Sequence, residues 1–109
     1  MFDKSQLMRG TLEGCILKII SLEVTYGYEI MLKLTDYGFA DIREGTIYPL
    51  LVRLEKKDLI YGEFRPSPLG PSRKYYFITQ NGLEALNSFE AYWKSISVAV
   101  SKILTLEGK

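Results

Sequence analysis

Seven cationic side chains, Arg43, Arg53, Lys56, Lys57, Arg65, Arg73 and Lys74, fall within residues 43–75, against the four carboxylates Glu44, Glu55, Asp58 and Glu63. Residues 1–42 carry four basic and six acidic groups, so the net charge of +1 hides a central basic region. Clustered Lys and Arg attract polyanions, and hydroxyls such as those of Thr46 and Tyr48 add donors to phosphate oxygens. Phosphate binding is therefore the chemistry these residues can do. Other chemistries lack their parts. The chain has no histidine, which removes the commonest general base and metal ligand. No carboxylates or tyrosines are paired at a catalytic spacing, no glycine-rich loop follows a strand, and no nucleophile has a base in view. The expectation is no enzyme, no cofactor and no metal. Cys15 is the single cysteine, so no internal disulfide forms, and it reads as a small apolar helix residue.

The elements that must position these residues follow from periodicity. The 109 residues allow one compact unit. Met8, Leu12, Cys15, Ile16 and Ile19 recur at helical spacing and predict a first helix over about residues 5–22. Its other face aligns Gly10, Gly14, Leu17 and Ser21, which reads as a slot where another backbone approaches. A second helix is expected over 27–37, ended by Gly38. A third, over 44–57, carries the apolar stripe Ile47, Leu50, Leu51 and Leu54 and turns Gly45, Pro49, Val52 and Lys56 outward.

Residues 59–65 and 73–79 are aromatic and β-branched and predict two strands. The intervening segment 66–72 holds three prolines and reads as a stiff turn. Thr79 suits the N-cap of a last helix running to about Leu106. On it Leu86, Phe89, Trp93, Ile96, Val100 and Ile103 form a heptad seam. Roughly 27 residues make a helix about 40 Å long, more than one small domain can cover. The distal seam therefore calls for a second copy of the chain. No segment is apolar enough for a membrane span and no signal peptide is visible, so the expected location is the cytoplasm.

Three helices followed by a hairpin give an α+β, mainly α fold: a winged helix-turn-helix over residues 1–79, with a long C-terminal dimerisation helix over 80–109. The third helix would read duplex DNA and the hairpin would be the wing. The same order of elements also serves protein-interaction modules that do not touch DNA. Pure protein docking would favour an apolar reading surface, and the cations argue for phosphate.

The residues carry a family resemblance as well. Gly27-Tyr28-Glu29-Ile30, Gly45-Thr46-Ile47-Tyr48-Pro49-Leu50-Leu51, Arg53-Leu54-Glu55-Lys56 and Gly70-Pro71-Ser72-Arg73-Lys74-Tyr75-Tyr76, with Thr79 and Gly82, resemble the PadR family of bacterial transcriptional regulators over roughly residues 7–87. The resemblance implies a homodimeric winged-helix repressor relieved by a small effector. A single terminal helix is similar to the short, multidrug-binding branch, in which a tryptophan on the dimer helix lines a central apolar pocket; Trp93 matches that position.

The DNA-contact candidates are Arg43, Thr46, Tyr48, Arg53, Lys56, Arg73 and Lys74, on a palindromic operator. The dimer candidates are Gly10, Gly14, Leu86, Trp93, Ile96, Val100 and Ile103. Trp93, Phe89 and Ile96 are the candidates for holding a small planar aromatic effector. Where this chain has Arg43 the family often has a small capping residue, so Asp41, spaced from Glu44 as in a capping box, is expected to cap the third helix. Asp58 stands where glycine is usual, which asks an L-residue to take a left-handed backbone.

Overall fold

The computed structural model describes residues 1–108. Along the chain run α1 (Lys4–Met8), α2 (Thr11–Leu22), β1 (Thr25–Tyr26), α3 (Gly27–Asp36), α4 (Glu44–Lys56), β2 (Ile60–Ser67), β3 (Gly70–Ile78) and α5 (Gln80–Leu104). The strands form one antiparallel sheet in the order β1-β3-β2. This is the expected winged helix followed by one long helix.

The core is an apolar cluster supplied by every large element. Ile16 and Ile20 of α2, Ile30 and Leu34 of α3, and Ile47, Leu51 and Leu54 of α4 meet Ile60 of β2, Tyr76 of β3 and Leu86 of α5. The buried residues of α4 are those of its 3.6-residue stripe, so its remaining faces are free to act.

Two helices end by the same device. After α3, Gly38 takes φ +118° and Phe39 N–H reaches back to the Leu34 carbonyl at 3.0 Å. After α4, Asp58 takes φ +60° and Leu59 N–H bonds the Leu54 carbonyl at 3.0 Å. Both are Schellman ends, in which a left-handed residue lets the chain turn back and satisfy a free carbonyl. Asp58 is thus left-handed where glycine is usual, and Asn81 Nδ2 donates to its carboxylate at 3.2 Å.

Four local expectations are corrected. The first helix is two: Gly10 stands between α1 and α2 at φ +87°, a conformation open to glycine, so Gly10 and Gly14 do not share a helix face. At Gly14 the slot is filled within the chain, because the Phe89 ring of α5 lies where a Cβ would be. The strands run on through the proline-rich segment, leaving a turn at residues 68–69. Pro66 is accommodated by a register shift between Arg65 and Ser67, and Pro71 lies beyond the reach of β1, which pairs only with Tyr75 and Tyr76, so its missing N–H faces a free edge. Finally, Asp41 does not cap α4. Arg43 holds the cap position with extended backbone and no side-chain bond, two residues closer to the helix than Asp41.

The last helix follows its expectation. Thr79 Oγ1 accepts from Gly82 N–H at 2.9 Å and donates to the Asp58 carbonyl at 2.7 Å. Gly82 is required by packing, since a Cβ there would fall on the Leu59 carbonyl oxygen. The seam then divides. Leu86 is 5% exposed and Phe89 packs on the core, but Trp93, Ile96, Val100 and Ile103 are 51%, 57%, 49% and 65% exposed. The molecule measures 64 × 29 × 21 Å, the long axis reflecting this projecting helix.

Candidate nucleic-acid interface

Helix α4 has three working faces besides its buried stripe. Its outward ridge is Gly45, Pro49, Val52 and Lys56, all exposed. Pro49 offers no N–H to the Gly45 carbonyl, a weak point in the helix ladder that the surface tolerates because the carbonyl can be solvated. One flank carries Thr46, Arg53 and Lys57 and faces α2. The other carries Glu44, Tyr48 and Glu55 and faces the wing.

The α2 flank is closed by ion pairs. Arg53 Nη1 donates to Glu13 Oε1 at 2.9 Å, and Lys57 Nζ lies 3.8 Å from Glu13 Oε2. The wing flank holds Lys74, whose Nζ donates to Glu55 Oε1 at 2.8 Å. The Lys74 stem crosses β2 over Gly62, where any side chain would displace it. Tyr48 Oη donates to Glu44 Oε2 at 3.1 Å. The Tyr48 ring rests against Gly27, at 3.0 Å from the place of an added Cβ, which explains a glycine at the start of α3.

A cleft of about 350 Å³ lies between wing and reading helix, lined by Tyr26, Gly27, Tyr48, Phe64, Ser72, Arg73, Lys74 and Tyr76. The wing cations lie on aromatic faces, Arg73 in the lining of the cleft and Arg65 outside it. The Arg73 guanidinium is 4.6 Å from the Tyr26 ring centre, and that of Arg65 is 5.0 Å from the Tyr75 centre and 5.4 Å from that of Phe77. Such stacking restrains a flexible side chain while leaving N–H groups to donate; of those on Arg65, Nε donates to Glu63 Oε1 at 3.5 Å. Tyr75 and Tyr76 alternate as expected in a strand, Tyr76 into the core and Tyr75 under Arg65.

Protonation reinforces the donors. Partial burial, then the hydrogen bond to Glu44 and its charge, raise the Tyr48 phenol. Burial, then the charge of Glu55 and the nearby Tyr48, push Tyr76 up to about 12. Both stay neutral O–H groups at physiological pH. Burial also raises the Cys15 thiol, keeping it in its unreactive form.

The sequence candidates therefore fall into groups. Arg43, Thr46, Lys56 and Arg73 are exposed around α4 and the wing, as is Tyr48, whose hydroxyl donates to the Glu44 carboxylate. Arg53 and Lys74 are at the same surface but engaged by carboxylates. Glu13, Glu55, Lys57, Arg65 and Tyr26 belong to the site and were not among the candidates. The Glu13–Arg53 pair spans forty residues and leaves no local trace in the sequence. For Glu55 a signal existed, its place on the wing-facing flank of α4.

Among the effector and dimer candidates, Leu86, Phe89 and Gly14 are engaged within the chain, while Trp93, Ile96, Val100 and Ile103 stand together on the uncovered end of α5. Among the described residues no group of His, Cys, Asp and Glu is placed to hold a metal, and no helix is long and apolar enough to cross a membrane.

Comparison with known proteins places this geometry. Residues 16–88 match the family model described as the transcriptional regulator PadR-like family. The crystal structure of a PadR-like transcriptional regulator from Bacillus cereus is 51% identical, covering 94% of this chain and 99% of its own, with a TM-score of 0.83. That of a Streptococcus transcriptional regulator is 45% identical, covering 92% of this chain and 98% of its own, with a TM-score of 0.82. An uncharacterized protein of Lysinibacillus sphaericus is 34% identical over 96% of both chains.

Proposed function

The chain belongs to the PadR-like family of transcriptional regulators, and from that premise we propose that it is a cytoplasmic, homodimeric repressor that binds a palindromic duplex and releases it when a planar apolar effector binds. The observation that carries the DNA limb is the surface of α4 and the wing, where an outward helix ridge ending in Lys56 is flanked by Arg43, Thr46 and Tyr48 and by Arg65 and Arg73 laid on aromatic rings. A helix of this kind fits a major groove, and wing cations neutralise adjacent phosphates. In this reading residues 1–79 are the reading unit and α5 is the dimer helix, with Trp93, Ile96, Val100 and Ile103 buried against the second copy; the last residue of the expected segment 80–109 lies outside the described residues. A two-fold dimer reads half-sites about one helical turn, or a small multiple of it, apart.

The effector limb is supported by Trp93, half exposed on the uncovered end of α5. Two indoles across a two-fold axis can sandwich a planar molecule. Such a ligand regulates only through different affinity for the DNA-competent and DNA-incompetent states.

Duplexes recovered from fragmented genomic DNA by the purified protein, then titrated at several salt concentrations, test the DNA limb. Arg73→Ala should weaken binding to every sequence and flatten the dependence of log K on log salt by about one unit. Parent-like binding by this variant would take the wing off the DNA. Planar aromatic compounds should quench the emission of Trp93, the single tryptophan, with saturation, and lower operator affinity. Quenching that leaves operator affinity unchanged would separate the pocket from the switch.

A further inference from the structure

The cations that the reading helix offers to phosphate are not all free. Arg53 and Lys57 both converge on the carboxylate of Glu13, at 2.9 and 3.8 Å. The two partners differ in freedom: the Glu13 side chain is 18% exposed, those of Arg53 and Lys57 are 60% and 55% exposed. Glu13 is held by its neighbours, since Leu12 enters the core and Gly14 lies under the Phe89 ring. A largely covered carboxylate thus faces two exposed cations at the edge of the proposed DNA surface. Arg53 shares its flank of α4 with Thr46, next to the outward ridge.

We propose that Glu13 is an internal stand-in for DNA phosphate, which holds Arg53 and Lys57 in the free protein and lowers the sequence-independent part of DNA affinity. The proposal rests on the DNA-binding reading above and concerns how strongly that surface grips the backbone. Exposed ion pairs of this kind are weak and exchangeable, so the dense charge of a duplex competes for the same cations. Exchange breaks the attractions that Glu13 makes with Arg53 and Lys57, and this cost opposes binding on every sequence alike. The base-reading groups of the ridge are untouched by it.

Removing the charge should tighten binding, the reverse of the usual effect of mutating a charged interface residue. Glu13→Gln, close in shape, should raise affinity for a random-sequence duplex roughly three- to tenfold and steepen the salt slope by about one to two units, as one or two more phosphates are neutralised. In a double-mutant cycle the gain should vanish when Arg53 and Lys57 are both changed to Gln, which a merely structural role for Glu13 would not produce. If Glu13→Gln fails to fold, Glu13→Asp, whose carboxylate reaches less far, should give a smaller gain of the same sign.

A folded Glu13→Gln that binds random duplex no more tightly than the parent, or a gain that survives loss of Arg53 and Lys57, overturns the proposal alone. A parent protein that binds no duplex overturns the DNA-binding reading and the proposal with it.

Discussion

The two halves of α5 are built to one pattern and lie in opposite surroundings. Leu86 and Phe89 in the proximal half sink into the core formed by α2, α4 and the sheet, while Trp93, Ile96, Val100 and Ile103 continue the same heptad stripe with no covering. The packing differs because of what lies alongside. Gly14 leaves room for Phe89, and Gly82 lets the helix start against the Leu59 carbonyl. Beyond Phe89 the domain has no further surface to offer. A seam thus reports that a face must be buried and says nothing of which chain buries it. An uncovered apolar stripe of this size supports the proposed second copy as its cover.

The two halves should respond to mutation in kind as well as degree. Leu86→Ala should cost about 3 kcal/mol of folding stability at any protein concentration, as buried leucines do. Ile96→Ala should change the stability of the unassociated chain by less than about 0.5 kcal/mol, as surface positions do, and weaken association. Denaturant unfolding at two widely separated concentrations, with light scattering, distinguishes them. Equal, concentration-independent losses would mean that both halves pack within one chain and would break the comparison.

A smaller effect sharpens it through pH. The core on which the proximal half packs contains Tyr76 of β3, pushed up to about 12 by burial and by the charge of Glu55, against about 10 in an unfolded chain. Over that window the unfolded chain loses the proton while the folded one keeps it. The contribution is therefore complete below about pH 10 and is lost as pH rises towards about 12. Thermal melts should show this decline in the parent and a shallower one in Tyr76→Phe. The distal stripe residues carry no ionisable group, so a decline of the same size in Tyr76→Phe would remove Tyr76 as its source.

Much of the fold was legible because it is written in period and punctuation. The stripe of α4, the aromatic strands and the Thr79 start of α5 each rest on a local pattern that tertiary packing then used. The break at Gly10 was not legible, since a glycine within a helical repeat reads the same whether the helix tolerates it or stops there. The two-residue strand β1 is too short to have a period and exists only through its pairing with Tyr75 and Tyr76. At the proposed DNA surface the residue types were legible and their engagements were not. Arg53 and Lys74 read as free cations until Glu13 and Glu55 arrive from elsewhere in the fold.

The start of α5 is a fulcrum. Thr79 N–H bonds the Leu59 carbonyl at 3.1 Å, Thr79 Oγ1 ties Asp58 to Gly82, and Gly82 seats the helix directly on that backbone. Together with Leu86 and Phe89, which pack on the core, this corner fixes the first turns of the helix, and the fifteen residues from Glu90 to Leu104 extend beyond it as a lever arm, about 22 Å at 1.5 Å per residue. A tilt of about 5° at its root then carries the tip through about 2 Å on such an arm. In the proposed dimer, joined near the tips, the distance between the two heads would be set by the angle at which the Asp58–Gly82 corner and this packing launch the arm, multiplied by arm length.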